Sequence, residues 1–164
     1  VTCPHCFTTI GRDYKQSGFE LEMVHHTQLL NQLVREGKLT PVTKSTKSVT
    51  YHDPCYLGRA NDVYEAPRDV IGKLDAALSE MKRSRANGLC CGAGGAQMFK
   101  EPEPGNKDIN IERTEEALSH KPDIIAVGCP FCMTMMTDGV KHFEQEQSVR
   151  VADIAELIAQ ANDL

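Results

Sequence analysis

Two adjacent thiols, Cys90 and Cys91, open onto the run Gly92-Ala93-Gly94-Gly95. Neighbouring side chains leave a backbone in different directions, so an adjacent pair reaches one shared centre only where the chain wraps closely around it. Glycine permits that wrapping, because it adopts positive φ and lets other atoms approach the backbone. Successive N–H groups pointing into one concavity make a nest for an anion. A sulfide-rich metal cluster is such an anion, which makes Gly92 and Gly94 candidate cofactor-binding positions beside the two thiols. A buried cysteine pair next to an ordinary turn would use the same residue types, since free cysteine is often a small core residue.

The other cysteines extend the pattern. Cys55 lies upstream in His52-Asp53-Pro54-Cys55, and Cys129 and Cys132 lie downstream in Gly128-Cys129-Pro130-Phe131-Cys132, giving C-x34-C-C-x37-C-P-x-C. Five thiols in three groups, each beside Pro or Gly, suit a metal site better than scattered core positions. Pro130 suits the first turn of a helix, so Cys129 and Cys132 are expected at the N-terminus of a helix running through Met136. The free N–H groups and positive dipole end there favour thiolate. The run Met133, Met135 and Met136 is read as helix packing, since Met fills cores readily.

This spacing resembles the cysteine-rich CCG domain of the heterodisulfide reductase catalytic subunit, also present in the iron-sulfur subunits of glycolate oxidase and of lactate-utilisation systems. The resemblance covers about Ser48 to the C-terminus. It implies that Cys55, Cys90, Cys91, Cys129 and Cys132 hold a non-cubane [4Fe-4S] cluster. It also implies a role in passing electrons to or from a thiol, disulfide or hydroxy-acid-linked partner, with a flavoprotein or quinone-linked protein as the redox partner. Further iron-sulfur modules would lie upstream in the parent chain.

The residues themselves leave other chemistry open. An ordinary cubane uses four thiolates, so a fifth converging cysteine would be surplus to it. A structural zinc site in a binding module also needs four, though its ligand pairs are usually two to four residues apart rather than adjacent. A metal-free thiol-disulfide oxidoreductase using Cys129 and Cys132 would leave three cysteines without a role. Near the set, His52 suits a hydrogen bond to a cluster sulfur and Asp53 a turn cap, while both also suit an ordinary loop, Asp-Pro being a common turn dipeptide. Arg59 suits either an anionic substrate or solvent.

The elements that must position these groups alternate between strand and helix. Ser48 to His52 is β-branched and short, a strand that delivers Cys55 at its C-terminal end. A helix from about Ala66 to Leu74, a weaker strand over Leu78 to Lys82, and a short helix over Ala96 to Phe99 stopped by Pro102 and Pro104 follow. Ile109 to Ser119 reads as a long helix. The continuous apolar run Asp123 to Val127 reads as a strand buried in a parallel sheet. The expected fold is therefore α/β, an open, mostly parallel sheet flanked by helices. The cysteine loops then fall at the carboxyl ends of the strands, where such sheets bind ligands.

The N-terminal region repeats the C-terminal one. Cys3-Pro4-His5-Cys6 matches Cys129-Pro130-Phe131-Cys132, and each copy predicts helix, short strand (Phe19 to Val24; Val149 to Val151) and amphipathic helix (Thr27 to Glu36; Asp153 to Ala161). His25 and His26, at the place of Ala152 and Asp153, are read as helix-start residues. On this reading residues 1–39 are the C-terminal half of a preceding CCG domain, 40–47 a linker and 48–164 a complete CCG domain. Cys3 and Cys6 would be ligands of an incomplete set, and the chain a C-terminal piece of a two-domain oxidoreductase, inactive alone.

Composition bounds the rest. The net charge of -5 over 164 residues offers no basic stripe to neutralise phosphates, which speaks against a nucleic-acid partner. No apolar run of about 18 residues and no secretory h-region is present in the sequence. Seven cysteines without an export signal suggest metal or redox chemistry in a reducing compartment, so a cytoplasmic location is expected. No dinucleotide or P-loop fingerprint accompanies the glycines.

Overall fold

The computed structural model describes residues 1–42, 46–101 and 104–162. Its centre is a four-stranded, all-parallel sheet of β1 (Ser48–Tyr51), β2 (Ala77–Leu78), β3 (Ile124–Val127) and β4 (Arg150–Asp153), in the spatial order β2-β1-β3-β4. Val49, Thr50 and Tyr51 of β1 stand opposite Ile124, Ile125 and Ala126 of β3. Residues 124–127 in turn pair with 150–153. Six α-helices accompany the strands among the described residues: α1 (Pro4–Gly11), α2 (His26–Arg35), α3 (Glu65–Lys73), α4 (Ile109–Ser119), α5 (Pro130–His142) and α6 (Ile154–Ala161).

Alternation along the strands divides the core in two, as the period of two requires. Val49, Tyr51 and Ala126 face one layer, formed by Val70 and Ile71 of α3, Leu74 at its C-terminal end, and Ile154, Leu157 and Ile158 of α6, with Leu30 and Val34 of α2 against it. Ile125 and Val127 face the other, with Ala117 of α4 and Met136 and Val140 of α5. Gly139 lets α5 approach α4 closely, since a Cβ there would run into Thr114. Cys91, Cys129 and Cys132 belong to this second core, whereas Cys55 and Cys90 lie at its partly exposed edge.

The expected elements over 48–51, 109–119, 124–127 and from Pro130 are present, and α3 covers the helix expected near 66–74. Four details differ. No strand forms over Phe19 to Val24. Instead Asp13–Ser17 makes a 3-10 turn, and Phe19, Leu21 and Val24 are exposed. The strand expected over Leu78 to Lys82 is confined to Ala77–Leu78. Beyond it Ser79 N–H still reaches the Val49 carbonyl at 2.8 Å, and Met81 enters the second core while Glu80 turns to Arg68. The Cys90-Cys91 pair therefore follows a long loop and not a strand end. Finally, Gly94–Phe99 is a 3-10 segment broken by Gly95 and Ala96 at positive φ. Pro104 follows it; Pro102, and the linker residues Thr43, Lys44 and Ser45, lie outside the described residues.

Candidate metal centre

All five cysteines of the C-terminal region meet at one place beyond the carboxyl ends of β1 and β3. Their thiols form a run in which each acts on the charge of the next, Cys55 on Cys90, Cys90 on Cys91, Cys91 on Cys132 and Cys132 on Cys129. The Cys91 and Cys132 Sγ atoms are 3.3 Å apart. These links join residues as far apart as 55 and 129, so the fold, and no local preference, brings them together.

Each group is delivered by a different device. β1 ends at Tyr51, and its ladder extends one step further through His52 N–H to the Ala126 carbonyl, 2.9 Å, before Pro54 and Cys55 turn away. β3 ends at Val127, and Cys129 caps α5 with Pro130 in its first turn. The Cys90-Cys91 loop is pinned by ion pairs. Arg68 grips Asp53 with two bonds of 2.8 and 2.9 Å, both side chains being almost fully buried. Asp53 also accepts the Arg85 backbone N–H at 2.7 Å, and Arg83 binds Glu112 and Glu116 of α4. A bidentate pair of this kind is directional as well as strong.

Gly92 does what its type suggested. It stands at φ +90°, and a Cβ there would lie 3.3 Å from Ile109 Cβ and 3.4 Å from Asn110 N. Its N–H donates to Cys90 Sγ at 3.3 Å. Gly94 lies beside it, but a Cβ at Gly94 would meet nothing within 4 Å.

The charge preferences alternate along the sulfur run. Cys90 is held far below the usual thiol range by the bonds it accepts from Cys55 and Cys91, and Gly92 N–H adds to them. Cys55 is pushed far up, first by its bond to Cys90 and then by burial, while the nearby Arg59 charge favours its thiolate. At Cys91 the bond with Cys132 favours thiolate, but the bond to Cys90 and burial outweigh it and raise the group to about 12. Cys132 is raised by its bonds to Cys129 and Cys91. Cys129 is lowered by its bond with Cys132, and the Cys132 and Phe131 backbone N–H groups at the start of α5 contribute. Anionic sulfur is thus stabilised at Cys90 and Cys129, at opposite parts of the run.

His52 is completely buried, and a ring nitrogen of it, Cys91 Sγ and Cys132 Sγ all lie within 4.8 Å of one another. Its Nδ1 is 3.0 Å from Arg113 Nε, and its Nε2 has no hydrogen-bond partner. Burial, followed by the Arg113 charge, lowers the imidazole to about 3, so the ring is neutral. An unpartnered polar atom beside the Cys91 and Cys132 thiols fits an anionic, sulfur-rich group in this space. Of the two roles open to His52 and Asp53 in the sequence, neither is an ordinary loop role: both are buried, Asp53 as the anchor of Arg68 and Arg85.

Cys3 and Cys6 stand next to this centre without joining the run. Cys3 caps α1, and burial raises its thiol against the opposing Cys6 and His5 backbone N–H groups, with the Cys6 side chain and a thiolate at Cys129 adding to the rise. Cys6 is exposed. His5 stacks on Tyr56 at 4.2 Å, and Arg59 is exposed. His25 and His26 do start α2, as read, with His25 as its cap and His26 Nε2 2.9 Å from Asp153. Met136 is core, and Met133 and Met135 pack against it.

Sequence reasoning missed Arg68 and Arg113. Arg113 had a signal: it stands four residues after Ile109 and four before the fully buried Ala117, a charge on the apolar face of α4. Arg68 had a weaker one, three residues before the fully buried Ile71 of α3.

Comparison with known proteins agrees with this geometry. A family profile described as a cysteine-rich domain, CCG, matches residues 49–137. The chain is 46% identical over 96% of its length to a protein of Bacillus subtilis named as a probable iron-sulfur-binding oxidoreductase, FadF, of which it covers 22%. It is 42% identical over 98% of its length to the EtfAB:quinone oxidoreductase of Syntrophomonas wolfei, covering 23% of that protein. It is also 36% identical over 97% of its length to one component polypeptide of the dihydromethanophenazine:CoB–CoM heterodisulfide reductase of Methanosarcina barkeri, covering 39% of that polypeptide. The chain thus spans under a quarter of the first two relatives and two fifths of the third. With the CCG run, its single upstream cysteine and the Cys-Pro-Phe-Cys turn all converging within the matched segment, the chain belongs to the cysteine-rich CCG-domain family.

Proposed function

We propose that Cys55, Cys90, Cys91, Cys129 and Cys132 together hold a [4Fe-4S] cluster of the non-cubane kind, and that the chain is the cluster-binding part of a larger iron-sulfur oxidoreductase. The observation that carries this reading is the unbroken run of five sulfurs. A cubane cluster or a zinc ion is complete with four thiolates. Here the fifth thiol belongs to the same run as the other four rather than standing apart. The names of the relatives, an iron-sulfur-binding oxidoreductase, an EtfAB:quinone oxidoreductase and a heterodisulfide reductase component, support the same chemistry.

When bound, the cluster supplies one-electron redox chemistry at the end of the sheet. The chain's own groups hold and shield it. Gly92, Phe131 and Cys132 N–H groups stabilise anionic sulfur, and the Arg68–Asp53 pair fixes the loop on which Cys55 sits. Cys55 and Cys90 are the partly exposed sulfurs, and Tyr56, 41% exposed, lies beside them. That edge is where a thiol, disulfide or hydroxy-acid-linked redox partner would exchange electrons, with a flavoprotein or quinone-linked protein on the other side of the exchange.

The same reading assigns residues 1–39 to the second half of a preceding CCG domain, 40–47 to a linker and the remainder to a complete one. Cys3 and Cys6 then belong to a neighbouring cluster set completed by an upstream half-domain. Among the described residues no helix is long and apolar enough to cross a membrane. We assign the region to the cytoplasm, with activity only in the full parent protein.

A zinc reading draws on His52, Cys91 and Cys132, which can surround an ion, but it leaves Cys55, Cys90 and Cys129 without a role. A metal-free dithiol at Cys129 and Cys132 leaves three thiols unused. Anaerobic reconstitution with iron and sulfide, followed by metal analysis, separates them. About four iron per chain supports the cluster; one zinc and no iron replaces it with the binding module.

A further inference from the structure

His52 stands at the end of β1, completely buried, with its Nδ1 3.0 Å from Arg113 Nε. A guanidinium offers only N–H donors, so Nδ1 must present its lone pair. A neutral imidazole carries one N–H, which is therefore on Nε2. Arg113 is itself fixed. It is fully buried, its Nη1 donates to the Arg83 carbonyl at 2.8 Å, and the same nitrogen pairs with Glu116 at 2.9 Å. The Nε2 atom is buried with no partner, although His52 shares a space of 4.8 Å with the sulfurs of Cys91 and Cys132. A donor sealed from water without an acceptor is costly, and sulfur is the acceptor at hand.

We propose that Arg113 locks His52 as the Nε2–H tautomer, and that His52 donates this hydrogen to sulfur on the Cys91–Cys132 side of the centre instead of serving as a metal ligand. Ligation through Nε2 would move the proton to Nδ1, where it would face the Arg113 N–H, donor against donor. The assignment deepens the cluster reading and rests on it. Hydrogen bonds to sulfur favour the more negative, reduced state of an iron-sulfur centre and so raise its potential.

The test has two parts. In the reduced, metal-free protein, long-range proton–nitrogen correlation on ¹⁵N-histidine reads the tautomer directly. The Nε2–H form is expected at His52, and an Nδ1–H form overturns the proposal. In the anaerobically reconstituted protein, His52→Leu should keep wild-type iron per chain. Its one-electron reduction should become about tenfold less favourable, a midpoint lower by about 59 mV. His52→Gln, which can carry an amide N–H near the Nε2 position, should recover most of that shift. Iron lost from both variants marks His52 as a ligand and overturns the proposal, as does an unchanged midpoint in a loaded His52→Leu. A wild-type protein that takes up no iron overturns the cluster reading itself and this proposal with it. Should the Leu variant not fold, the tautomer measurement decides alone.

Discussion

The His5 ring meets the Phe131 ring edge-on, with centroids 5.5 Å apart and planes at 87°. Each is the third residue of a Cys-Pro-x-Cys turn that starts a helix, Cys3 capping α1 and Cys129 capping α5. The downstream helices correspond as well. α2 starts with a capping box of His25 and Gln28, and α6 with one of Asp153 and Glu156. The strand between is present only in the second copy, so the correspondence lies in the two helix starts.

If Cys3 and Cys6 serve a different cluster set, they are dispensable for the five-cysteine centre. Cys3→Ser and Cys6→Ser, reconstituted anaerobically, should keep wild-type iron per chain and an unchanged paramagnetic resonance spectrum. A fall in iron for either would assign that thiol to the centre and undo the division of the chain at residues 39 and 48.

Gly92 and Gly94 are close members of one run with opposite demands on side-chain size. Gly92→Ala forces a Cβ against Ile109 at a φ of +90°, a conformation that costs a non-glycine residue about 1–3 kcal/mol. It should lower the unfolding free energy by that much and reduce iron uptake, because its N–H is the one held on Cys90. Gly94→Ala should stay within about 0.5 kcal/mol of wild type. Equal effects from both would mean that the backbone nest spans the whole run.

The Arg68–Asp53 pair is buried, with side chains 6% and 3% exposed. Asp53→Asn leaves the guanidinium without its counter-charge, which for a buried pair costs about 3–5 kcal/mol. Chemical denaturation should show a loss of that size, with no change if the pair is merely incidental to the loop. Glu80, a second partner of Arg68, limits the loss toward the lower end.

Much of this was legible in the sequence, where local chemistry reported on local structure. The β-branched Ser48–Tyr51 run, the apolar Ile124–Val127 run and the proline after Cys129 each mark an element that forms. Phe19 to Val24 carries a similar apolar signal, yet a strand exists only with a neighbour, and pairing is not written in the segment itself. The Arg113–His52 and Arg68–Asp53 contacts join residues far apart in the chain, and nothing near either partner announces the other. The gathering of the five cysteines was readable because five thiols with Pro and Gly neighbours are rare enough to be counted together. The residues that orient them were not.

Stability should fall in mild acid because of two buried histidines. Burial, followed by the neighbouring His26, holds His25 down to about 4, and His52 is held to about 3. Unfolded, each would titrate near 6.5. Their folded values are depressed, so the neutral fold has its full advantage above about pH 6.5 and loses it as pH falls toward 4 and 3, since the unfolded chain then binds more protons. Each histidine contributes a slope of about 1.4 kcal/mol per pH unit in that window. Melting temperature between pH 7 and 4 should decline for the metal-free chain. His25→Asn, which keeps a capping side chain, should flatten the decline; an unchanged slope would show that His25 is protonated in the fold.

The central claim, that five thiolates serve one cluster, is tested most directly by iron per chain and the resonance spectrum. The measurement compares wild type with the single Cys→Ser variants at 55, 90, 91, 129 and 132, after identical anaerobic reconstitution. The account predicts that every variant loses iron or changes its spectrum. The effect should be largest at Cys90 and Cys91, which the Gly92 turn positions together. One variant that keeps wild-type iron and an unchanged spectrum would show that four sulfurs suffice, and would contradict the five-ligand centre.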